Sequence, residues 1–197
     1  MAKERIGAVI VENLYEMLKH KKPFSEDVFS RKMDKMIQRE IGKNKNRSKR
    51  ISELLNAARY YHNVAEEEKK AIKICDQILE EDSQNRDAML IKAGALFHSG
   101  KPKESLELIN GIKEKWPDHW EAYYLLGIHF FNEDETRAFE FLKKSLELDE
   151  NFNNLTVIAQ LSYFMGKLDY QDYLDKAKKL EPERFRSYMK NCWSYHL

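Results

Sequence analysis

The chain has 197 residues, 42% of them hydrophobic and 34% charged, enough to bury a core beneath a well-solvated surface. Only 7 Gly and 4 Pro stand among abundant Lys, Glu, Leu and Ala, which excludes a strand-and-turn architecture in favour of long helices with short connections. Two cysteines, Cys75 and Cys192, exclude a disulfide framework, and no apolar run approaches the roughly 20 residues of a membrane span.

Along the chain, Lys3 and Arg5 precede a short apolar stretch from Ile6 to Val11. Glu12 and Glu16 follow at once without a small-residue cleavage site, so a cytoplasmic protein is expected rather than a secreted one. Ile6, Val9, Ile10, Leu14, Met17 and Leu18 form one apolar stripe at helical spacing. Val28, Phe29, Met33, Met36, Ile37 and Ile41 form a second, with Pro23 between them and Ser25 as a candidate N-cap. These predict a helical hairpin that, with a basic linker, occupies residues 1–47. Residues 1–50 hold 14 Lys+Arg and 7 Asp+Glu, a charge of +7, leaving −6 on the rest of the chain.

Repeats begin soon after. Leu54-x-x-Ala57-Ala58-x-x-Tyr61 leads to Ala71-x-x-x-Cys75, and Leu90-x-x-Ala93-Gly94-x-x-Phe97 leads to Ser105-x-x-x-Ile109 and Pro117. Tyr123-x-x-Leu126-Gly127-x-x-Phe130 leads to Ala138-x-x-x-Leu142, and a weaker copy runs through Leu155, Ile158, Ala159, Leu174, Ala177 and Pro182. The turn at Asn132, Glu133 and Asp134 reads as one residue short, and Glu150 and Ser83 replace expected prolines. Asp118 with Glu121 suggests a capping box for the following helix. The stretch from Arg184 to Trp193, within residues 183–197, is expected to form a capping helix over the final repeat.

This arrangement, in about four degenerate copies over residues 48–182, resembles the tetratricopeptide repeat, whose period is near 34. The resemblance implies an all-α fold, a right-handed superhelix of antiparallel helix pairs. In it a Gly or Ala on the first helix admits the second helix of the same pair. It also implies that the first helices line a concave groove for a polypeptide. With the copies aligned on Ala58, Gly94, Gly127 and Ala159, the groove positions are Leu55, Arg59 and His62, then Ile91 and His98, then Tyr124, Ile128 and Phe131, then Gln160 and Tyr163. Such a groove is apolar and aromatic in the middle. Relatives that clamp a carboxylate use Lys, Arg and Asn here, and only Lys92 and Asn56 stand as candidates, so a clamp is not expected. The terminal helices of the same chain are the alternative occupants.

No catalytic, cofactor or metal site is expected. Gly94 to Lys101 superficially suggests a phosphate loop, but five residues separate Gly94 from Gly100 and Pro102 replaces the metal-binding hydroxyl, so a turn between paired helices is the better reading. His20, His62, His98, His119, His129 and His196 show no metal-ligand spacing. Lys43, Lys45, Arg47, Lys49 and Arg50 could attract phosphates, but no aromatic is interleaved for base stacking. The expectation is therefore an adaptor, scaffold or chaperone-like module that binds a protein or peptide. A nucleic-acid-associated factor and a regulatory subunit of an enzyme complex are the alternatives.

Overall fold

The computed structural model describes residues 46–190 together with Arg31, Asp34, Lys35, Gln38, Arg39 and Gly42. The two N-terminal apolar stripes, Pro23, Ser25, Lys43, Lys45 and residues 191–197 lie outside them. The described residues contain helices and no strand, as the composition predicts.

Local sequence sets where each helix begins. Asn46, Asn85, Asp134 and Asn151 are N-caps whose side chains accept the backbone N–H of Lys49, Ala88, Arg137 and Asn154 at 3.2, 3.1, 3.0 and 3.0 Å. They open α1 (Arg47–Asn63), α3 (Arg86–His98), α6 (Glu135–Leu148) and α7 (Phe152–Phe164). Between these run α2 (Glu68–Glu81), α4 (Pro102–Lys115) and α5 (Trp120–Phe130), and after them α8 (Tyr170–Leu180) and α9 (Pro182–Tyr188). Pro102 and Pro182 each occupy a first helical position, where the missing N–H costs nothing. Two expectations are corrected. The cap of α5 is His119, which makes no side-chain capping bond, so the Asp118–Glu121 box does not form. And α6 starts as far after Gly127 as α4 does after Gly94, so the turn between α5 and α6 is of ordinary length.

The chain divides into two compact units, Met1–Ser105 and Leu106–Leu197. In the first, α1 packs on α2 and α3, and α2 packs on α3. Leu54, Ala58, Tyr61, Ala71, Ile74 and Ile78 form the centre of its core. Ser105, fully buried, donates through Oγ to the carbonyl of Ala93 at 2.8 Å, which ties the start of α4 to α3. Asp34, ahead of the repeats, accepts from the hydroxyl of Tyr61 and from Lys70 Nζ, the latter at 2.6 Å. Burial and the bond to Asp34 push the Tyr61 phenol far above its ordinary range.

In the second unit α5 packs on α6, α6 on α7, α7 on α8, and α8 on α9. Asn154, fully buried, donates through Nδ2 to the carbonyls of Asp149 and Ser145 at 2.7 and 3.3 Å. Ser145 Oγ lies 2.9 Å from the carbonyl of Trp120 and 3.0 Å from Asn154 Oδ1, so one buried polar chain joins α5, α6 and α7. Phe185 and Tyr188 of α9 pack against Phe152, Leu155, Ala159, Leu174 and Ala177.

Gly127 is required by its neighbour: a Cβ there would stand 2.5 Å from Leu142 Cγ, and Leu142 is fully buried. Gly111 lies in α4 with nothing within 4 Å of an added Cβ. Gly127→Ala is therefore expected to destabilise, because overpacking of about 1–3 kcal/mol outweighs the helix-propensity gain. Gly111→Ala should stabilise by about 0.5–1 kcal/mol. Urea denaturation of the two variants beside the parent checks both; a neutral Gly127→Ala would show that Leu142 can withdraw.

Candidate partner-binding face

The groove positions fare differently in the two units. In the first, most of them serve internal contacts. Leu55 is half-buried against the core cluster, and Ile91 belongs to that cluster at 9% exposure. Arg59 pairs with Asp87 at 2.6 Å. His62 turns inward: its Nδ1 is 2.7 Å from Glu68 Oε2, its ring meets His98 edge-on at 5.4 Å, and its Nε2 would stand 2.8 Å from a Cβ on Gly94. Gly94 thus makes room for His62 of the preceding pair, while the second helix of its own pair is tied to α3 one residue earlier, at Ala93. Of this set only His98 is exposed.

In the second unit α5 shows two distinct faces. Ala122, Leu126, Gly127, His129 and Phe130 are buried. Tyr124 and Ile128, one turn apart, and Phe131 beyond them remain half-buried. Trp120 meets Tyr124 edge-on at 6.0 Å. Burial raises the Tyr124 phenol above its ordinary value, and Arg184 of α9 is close enough to oppose that shift. On α7, Gln160 is half-buried and Tyr163 is 37% exposed.

The sequence reading missed two neighbours of this face, Phe164 at 56% and Leu168 at 89% exposure. Phe164 meets Phe131 edge-on at 6.1 Å and Tyr163 at 5.9 Å. The available signal was a large apolar residue just beyond Gly166, whose φ of +68° marks the turn.

The basic segment is partly committed elsewhere. Arg47 donates to the carbonyl of Glu81, and Arg50 grips both oxygens of the Glu81 carboxylate at 3.1 and 2.6 Å. Of the five phosphate-binding candidates Lys49 keeps its side chain at the exposed start of α1, and Lys43 and Lys45 lie outside the described residues. Lys92, a carboxylate-clamp candidate, is instead paired with Asp76 at 2.6 Å. Gly94 lies inside α3, so no phosphate loop exists there. Cys75 is fully buried, and burial pushes its thiol up to about 12, which removes it as a nucleophile. Among the described residues no cluster of His, Cys, Asp and Glu could hold a metal, and no helix is long and apolar enough to cross a membrane.

Consecutive helix pairs held by small residues at their contacts define a helical-repeat protein. Residues 65–127 match the family described as Tetratricopeptide repeat, and over them the chain carries tetratricopeptide repeats. No curated protein matches the chain in sequence. The fold is similar to that of TTC0263, a thermophilic TPR protein of Thermus thermophilus, at 15% identity and a TM-score of 0.68, covering 95% of this chain and 98% of that one. YrrB, described as a TPR protein with an unusual peptide-binding site, superposes at 18% identity and a TM-score of 0.52, covering 84% of this chain and 88% of that one. MamA 41-end from Desulfovibrio magneticus RS-1 does so at 19% identity and 0.52, covering 68% and 76%. Proteins of this family are generally non-enzymatic protein-interaction modules.

The Arg50 hydrogen bonds hold the Glu81 carboxyl below the ordinary glutamate value. A folded-state value that is depressed means the pair helps folding above the ordinary range and ceases to help as pH falls through the lowered value. Carbon-detected NMR titration should give Glu81 a midpoint below that of an exposed glutamate, and Arg50→Gln should restore it. An unchanged midpoint in Arg50→Gln would refute the pairing.

Proposed function

We propose that this protein binds a partner polypeptide, without catalysis, on the apolar and aromatic face of its second unit formed by Tyr124, Ile128, Phe131, Gln160 and Tyr163. The observation that carries this reading is the division of α5: one face is buried, while large apolar side chains at helical spacing on the other stay partly exposed. Aromatic and apolar anchors of this kind supply most of the affinity when a helix or extended segment lies in a groove. The peptide-binding site named for YrrB, a protein of similar fold, supports the same reading. In the first unit Leu55, Arg59, His62 and Ile91 are engaged in packing and ion pairs, so that unit contributes stability, with His98 its exposed groove position. Pro182–Tyr188 acts as the cap of the last helix pair, through Phe185 and Tyr188. An adaptor or scaffold role inside the cell follows.

Tyr124→Glu combined with Ile128→Glu should reduce partner recovery about tenfold or more in affinity purification from the native cell, while circular dichroism keeps its helical signal. Full recovery by the folded variant would remove the reading.

A further inference from the structure

The partly exposed face of α5 continues, at the ends of α5 and α7, into a ring cluster whose adjoining turns hold more acidic than basic residues. Phe131, Phe164 and Tyr163 meet edge-on, and Tyr163 meets Tyr170 at 5.3 Å. Leu168 stands out from the adjoining turn. The two turns supply the rim. Glu133, Asp134 and Glu135 follow Phe131, and Asp169 and Asp172 flank Tyr170. The nearby cations are engaged with other rings: Lys167 Nζ lies 3.1 Å above Phe139, and the Arg137 guanidinium 3.9 Å above Phe130. A surface with exposed rings and a mainly acidic border is complementary to a cation carried beside an apolar group.

We propose that this edge recognises a partner segment in which Lys or Arg alternates with large apolar residues. This rests on the reading that the second unit binds a polypeptide, and it specifies that partner's chemistry. The apolar side chain packs on Phe164 and Leu168, and the cation lies against the ring faces and the acidic rim. Other occupants fit less well. A second copy using the same patch would set acidic rim against acidic rim, because a two-fold contact pairs a surface with itself. An acidic peptide or an anionic lipid surface would meet the same repulsion.

The test measures fluorescence anisotropy of short labelled peptides repeating Lys-Leu-Ser, Glu-Leu-Ser or Lys-Ser-Ser with the full chain at physiological salt. The Lys-Leu-Ser peptide is expected to bind about tenfold or more tightly than either of the others. Phe164→Ala with Leu168→Ser, both exposed and so compatible with folding, should lose about tenfold of that affinity. Glu133→Lys with Asp172→Lys should shift the preference toward the Glu-Leu-Ser peptide. The proposal is overturned if no peptide binds, if the acidic peptide binds as well as the basic one, or if the edge variants change nothing. The groove variant Tyr124→Glu with Ile128→Glu separates the two readings. Loss of native-partner recovery in that variant, beside a silent edge, sinks the edge and keeps the groove. Full recovery in it, beside an edge-dependent peptide, does the reverse.

Discussion

The close approach of helices at small residues is the constraint on which the rest of this structure depends. Ala57, Ala58, Ala71, Ala93, Ala138, Ala159 and Ala177 are all completely buried, and Gly127 leaves no space for a Cβ against Leu142. Helices that meet at such positions bring their backbones near, and the larger side chains on either side interdigitate to fill the gap. Some of the polar groups that enter this core close a backbone valence. Ser105 reaches Ala93, and Ser145 with Asn154 reaches Trp120 and Asp149.

Once that contact is fixed, the remaining face of each first helix is free for other uses, and the two units use it differently. In the first unit the face is engaged within the chain: Arg59 pairs with Asp87 on α3 at the surface, and His62 turns inward to Glu68 and the notch at Gly94. In the second unit the corresponding positions are mostly aromatic or aliphatic, and they stay partly solvated. A given place in a repeat therefore carries no fixed role; whether it packs or binds depends on what the next pair presents to it.

This explains what the sequence could reveal. The all-helical fold and the repeat were legible because they rest on spacing, and the spacing of Leu, Gly or Ala, aromatic and small residue is set by helix geometry itself. Helix starts were less legible: the Asn and Asp caps of α1, α3, α6 and α7 were not singled out, the Asp118–Glu121 box that was expected does not form, and α2, α5, α8 and α9 begin without a side-chain cap. The proposed binding face was legible only in part. Alignment placed Ile91 and His62 beside Tyr124 and Ile128, yet packing separates them, because neighbours some thirty residues away in sequence decide it: Gly94 leaves the notch that receives His62. Phe164 and Leu168 fall outside the repeat template, so alignment had no position for them.

The contact between Asp34 and the first helix pair bears on how the repeats can be handled. Tyr61 is 2% exposed, and the oxygen that receives its hydroxyl belongs to a residue ahead of the first repeat, which also receives Lys70. A chain trimmed to begin at Asn46 would leave a buried phenol without its acceptor, at a cost of about 1–3 kcal/mol, comparable to a sizeable share of a small domain's whole stability. The repeats are thus not an excisable cassette: the boundary that alignment draws is not the boundary at which the molecule can be cut.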